Sequence, residues 1–180
     1  MVTLYSLFIY KDFGISYDEE IQYTHLKVSA KKIYSTFGIL DKAPVSVKES
    51  KNIEEYKNKY YGVSAQLPLL ILEYFPETHG PQTPAFWHTR HLYVRIMFIL
   101  AGLCFYLILK NIIKSNLLLL LSLFLFFFHP RISANSFYNI KDGLFLSFFT
   151  ISMYFIFQFI KNKKIINLLA FSVITAFAIN

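Results

Sequence analysis

The sequence predicts an all-α polytopic membrane protein, and three observations carry that expectation. Hydrophobic residues fill 55% of the 180 positions and charged residues only 16%, against about 25% charged in an ordinary soluble domain. Apolar runs approaching the ~20 residues that a helical crossing requires occupy the second half. The cations collect at the ends of those runs, where lysine and arginine meet lipid headgroups. The net charge of +7 therefore does not call for nucleic acid. A lone Cys104 excludes an intrachain disulfide and a cysteine-based metal pattern.

Residues 1–10 are apolar but too few to cross alone, and they lack the basic region of a signal peptide. They read as the end of a first membrane helix. The last run, residues 165–179, reads as most of another, so both ends look cut.

Residues 11–91 read as an extracytoplasmic loop carrying juxtamembrane helices. Ser16 and Glu19 have the spacing of a capping box, with Ser16 as N-cap and Glu19 at N3. Ile21, His25, Ser29, Ile33 and Phe37 would then share one helix face, and Gly38 would stop the helix. Residues 41–44 form a turn ending in Pro44. A second, charged helix is expected over residues 51–61, with Ile53, Tyr56 and Tyr60 along one side and Gly62 at its end. Residues 63–75 are apolar, interrupted by Pro68 and too short to span, which suits the membrane interface. Pro76, Pro81 and Pro84 make the next stretch irregular, and Phe86 and Trp87 fit an interfacial aromatic belt.

Residues 92–180 supply the crossings. The first covers about residues 92–109. The second, residues 117–128, is short unless Ile112 and Ile113 join it and Lys114 snorkels. The third covers residues 143–160. By the positive-inside rule Lys110, Lys114, Lys161, Lys163 and Lys164 face the cytoplasm. Arg90, Arg95, Arg131 and Lys141 then face outward, so all three arginines of the chain fall on the outer side. Arginine grips phosphate with a planar fork where lysine offers a point charge, so an outer lipid phosphate would explain the bias.

The central loop, residues 129–142, is the focus of the candidate site. It reads HPRISANSFYNIKD and holds His129, Arg131, Lys141 and Asp142, the only carboxylate after His79. Ionisable groups beside hydrocarbon are costly and tend to be functional; a polar hairpin separating two helix ends is the plainer reading. On the same predicted side lies the acidic cluster Asp18, Glu19 and Glu20. It can serve as a helix N-terminus, or one carboxylate can act as general base on a hydroxyl. His88 and His91 are three positions apart, but Arg90 and Arg95 beside them oppose a cation, and no metal is expected.

These motifs resemble the GT-C glycosyltransferases, specifically the family 39 group that includes the dolichyl-phosphate-mannose protein mannosyltransferases. The resemblance rests on DFGISYDE at residues 12–19, on YYG at 60–62 followed by Arg90 and His91, and on HPR at 129–131 with SFYNIKD at 136–142. It implies the N-terminal part of a GT-C helix bundle that needs no cofactor and is inactive alone. Asp18 and Glu19 become the catalytic candidates, with the role of base falling to Asp18. Arg131, Lys141 and Arg90 would hold the donor phosphate, supported by Asp142, His129 and His91. The implied reaction is inverting transfer from a polyprenyl-phosphate sugar to a hydroxyl of a lipid, glycan or protein, on the outer face of a membrane, such as a bacterial inner membrane. The competing reading is a non-catalytic scaffold or transporter fragment whose arginines bind anionic lipid. The spans carry little polar character beyond Gln158, which disfavours a transporter.

Overall fold

The computed structural model describes residues 7–60, 62–75 and 81–179. Every regular element among them is helical, and the chain is an all-α polytopic membrane protein. It divides into two compact units, Ile15–Arg90 and a second made of residues 7–14 with His91–Ile179.

In the first unit, α1 spans Tyr17–Thr36. Its start is the expected capping box: Ser16 is extended at φ −80° and ψ 153°, and its N–H donates to Glu19 Oε1 at 2.7 Å. Its end is at Gly38, whose φ of +67° is a left-handed conformation that favours glycine. Of the face named from the sequence, only His25 is fully buried. Ile21, Ile33 and Phe37 are exposed, and the inward stripe is Glu19, Gln22, Tyr23, Leu26 and Ala30, joined by His25 and Val28. Several of those residues are polar and find partners inside, so the buried stripe does not follow from apolar periodicity alone.

The short helix α2, Val45–Lys48, buries Val47 with Ala30 and Ala43. The charged helix expected over residues 51–61 is reduced to a 3-10 turn at Ile53–Glu55, and Tyr61 lies outside the described residues. An isolated helix of that length is marginal without an apolar face to bury. Instead Lys32 pairs with Glu54 at 2.9 Å, and Tyr56 packs edge-on against His25. Ser64–Tyr74 is a 3-10 helix. Its geometry stacks every third side chain, and Gln66, Leu69 and Leu72 all turn inward, in register with buried Val63 just before it.

Helix α3, Pro84–Ile112, is 29 residues long and begins well before the expected crossing. Proline is favoured at a first helical position, because the N–H it lacks would be unpaired there anyway. Pro84 thus opens the helix, while Pro76 lies outside the described residues. Phe86 and Trp87 do not form a belt; they are buried against Tyr23.

In the second unit, α3 continues to Ile112 and the chain breaks at residues 113–115. Ile112 and Ile113 therefore do not extend the next helix, α4, Asn116–Phe128. Its 13 residues rise about 20 Å, short of the ~30 Å hydrocarbon core. It is followed by α5, Pro130–Tyr138, bent by 52° from α4. Most of the expected central loop is thus helical. Then follow α6, Asp142–Asn162, and α7, Ile165–Ile179. By length and composition α3 and α6 can cross a membrane, and α4 with α5 makes a third if the bent pair is one span. Lys163, left-handed at φ 56°, turns α6 into α7. Residues 1–6 of the expected first helix lie outside the described residues. Of the remainder, Ile9–Asp12 forms a 3-10 turn.

Candidate active site

The two adjacent acids have opposite environments. Position N2 of α1 points Asp18 outward, and its side chain is exposed. Position N3 turns Glu19 inward, where it is 2% exposed and committed to the Ser16 N–H. A carboxylate locked in a cap and closed off from solvent is poorly placed to receive a proton from a substrate; an exposed one beside it is free to do so.

Around Glu19 the first unit buries a polar network. Arg90, 1% exposed, projects from the first turns of α3. Its Nη2 donates to Gln66 Oε1 at 3.3 Å, and Gln66 Nε2 donates to Gln22 Oε1 at 3.3 Å. The guanidinium lies against three rings, 5.7 Å from Tyr23, 5.4 Å from Phe86 and 5.8 Å from Trp87. Glu19 and Glu73 both act electrostatically on it. Glu73, 4% exposed, accepts 2.8 Å bonds from the Tyr23 and Ser46 hydroxyls. Burial, then the bond to Glu73, holds the Tyr23 phenol well above its ordinary pKa. Buried charges persist where they are paired and hydrogen-bonded in this way.

In the second unit, His129, Arg131, Lys141 and Asp142 are all exposed, while His91 is buried. His129 is the N-cap of α5, Pro130 opens it, and Arg131 lies in its first turn. Asn139 organises the passage into α6. Its Oδ1 accepts from the N–H groups of Lys141 at 3.1 Å and Asp142 at 2.9 Å, and its Nδ2 donates to Asp142 Oδ2 at 3.2 Å. Asp142 is thus held by an amide at the start of α6. Arg131 and Lys141 are exposed cations that flank the α5 segment, one near its start and one just past its end.

Two residues with structural weight, Glu73 and Gln66, escaped the sequence reading, and a third, Arg95, was named there only as one of the outer-face arginines. Glu73 left a signal, a single carboxylate inside an apolar run. Gln66 left another, the three-residue period. Arg95 lies three residues into the expected first crossing, where an arginine is costly. It is 3% exposed, donates through Nη1 to Ser136 Oγ at 2.5 Å, and lies 4.2 Å from the Phe137 ring. No cluster of three or more His, Cys, Asp or Glu side chains suited to a metal occurs among the described residues.

Comparison with known proteins adds one match. The family model for dolichyl-phosphate-mannose-protein mannosyltransferase matches residues 74–180, more than half of the chain. The matched region contains Arg90, His91, His129, Arg131, Lys141 and Asp142, and begins after Asp18 and Glu19. No curated protein and no solved structure matches.

Proposed function

Since the chain belongs to the dolichyl-phosphate-mannose-protein mannosyltransferase family, a family of membrane glycosyltransferases, we propose that it takes part in moving a sugar from a polyprenyl-phosphate donor to an acceptor hydroxyl with inversion. The observation that carries this reading is the family match over α3 to α7, the region that presents the exposed cations Arg131 and Lys141.

In this reading Asp18 takes the proton of the acceptor hydroxyl, on a lipid, a glycan or a protein. The oxygen forms a bond to the anomeric carbon from the face opposite the phosphate. The anomeric C–O bond to phosphate breaks, and its electron pair leaves on the polyprenyl phosphate. Arg131 and Lys141 stabilise that developing charge, Arg131 through a two-pronged contact. Arg90 was expected at the phosphate as well; its burial and its bond to Gln66 favour a different role. We assign it to holding the Glu19 side of α1, which keeps the helix start rigid beneath Asp18. Residues 11–91 and 129–142 face the exterior or periplasm, because two crossings separate them. Cysteines at Lys57 and Lys141, in a Cys104→Ser background, must then react with an impermeant thiol reagent from the same side.

The test is stereochemical. The full-length protein in membranes is given a polyprenyl-phosphate mannose of known anomeric configuration, and the product linkage is read by NMR. The opposite configuration is expected. Retention of configuration, or transfer only from a nucleotide sugar, would overturn the reading.

A further inference from the structure

We propose that Arg95 is a positioning residue that sets the placement of α5, and through it the phosphate contact of Arg131. This rests on the reading of Arg131 as a donor-phosphate ligand. Helix α5 has nine residues, too few to hold itself in place by backbone bonds alone. Its location is therefore decided by what grips it, and the grips lie in its second half. Arg95 Nη1 donates to Ser136 Oγ, and the same hydroxyl donates to Ser133 O at 2.7 Å, so its single proton is already committed and it meets Arg95 as an acceptor. The guanidinium covers Phe137 at 4.2 Å, and Phe13 stacks on that ring at 4.1 Å with an interplanar angle of 11°. One aromatic ring thus serves as the bridge between an arginine of α3 and the segment that precedes α1. A second grip is steric. A Cβ on Gly143 would meet Val94 Cγ1 at 2.8 Å and Asn135 O at 3.0 Å, so α3, α5 and the start of α6 approach closely there. Arg131, in the first turn of α5, carries no part of this grip; its placement follows from it.

Lysine at position 95 keeps the charge and loses both the fork and the planar stack. In a Cys104-retaining, otherwise unaltered chain, Arg95→Lys should weaken binding of a polyprenyl-phosphate mannose about tenfold, the scale of coupling between residues that share a partner. In an Arg131→Lys background the same change should have little further effect. Phe13→Leu, a milder change, should move affinity in the same direction by less. Unchanged affinity in Arg95→Lys, or losses that simply add, would overturn the proposal. Fluorine NMR of 4-fluorophenylalanine at position 137 separates it from the reading beneath it. If Arg131→Lys binds donor as well as wild type, the phosphate reading fails. The anchoring of α5 then stands if Arg95→Lys shifts the fluorine resonance, and falls if the resonance is unmoved.

Discussion

Asp18 and Glu19 differ by one methylene and one position, and their environments differ completely. A helix rotates about 100° per residue, so the N3 carboxylate turns into the unit while its N2 neighbour stays outside. The capping box that makes this split was legible in the sequence, because Ser16 and Glu19 have the required spacing. The burial of Glu19 near a cation was not. Arg90, on which Glu19 acts electrostatically, lies 71 positions further along the chain, and only folding brings the two together. Glu19→Gln should therefore act on stability. Weakening the cap and removing a charge that faces Arg90 should cost about 1–2 kcal/mol, measured by thermal unfolding, with the donor affinity of the folded protein unchanged. A loss of donor binding at full stability would place Glu19 at the substrate instead.

At the scale of elements, the sequence was most informative where local chemistry decides. The start and end of α1, the long apolar helices and the proline at the head of α3 all follow from local rules. It misled where tertiary contacts decide. The segment expected as a helix over residues 51–61 forms only a 3-10 turn at Ile53–Glu55 among its described residues, with Lys32 and His25 of α1 engaging Glu54 and Tyr56. Residues 129–142 looked like a polar loop, yet residues 130–138 form α5, opened by Pro130 and held by Arg95 from a distant helix. The close approach at Gly143 gives a test at this scale. Alanine there would improve local helix propensity by up to about 1 kcal/mol. It would also drive a methyl group into a β-branched side chain and a backbone carbonyl, which typically costs about 1–3 kcal/mol. Gly143→Ala should thus lower the unfolding temperature in detergent, and relieving the contact with Val94→Ala should restore part of the loss. A more stable Gly143→Ala protein would show that the helices are not held this tightly.

At the scale of the whole molecule, apolar runs and the family match agree on a membrane-embedded glycosyltransferase, and both were visible in the order of motifs along the chain. The roles of individual residues were less visible, because exposure and partnership are properties of the fold. Asp18 is exposed where Glu19 is buried, and Arg90 is buried where Arg131 and Lys141 are exposed, which is what the proposed roles rest on. The central claim is that one exposed carboxylate performs the proton transfer. The direct measurement is single-turnover sugar transfer by the full-length protein carrying Asp18→Asn, assayed with donor saturating in the same membranes as wild type. General-base catalysis contributes about 10²–10⁴-fold, so the rate should fall by at least about a hundredfold while donor affinity and thermal stability stay at wild-type values. Turnover at the wild-type rate would contradict the assignment and remove Asp18 from the chemistry.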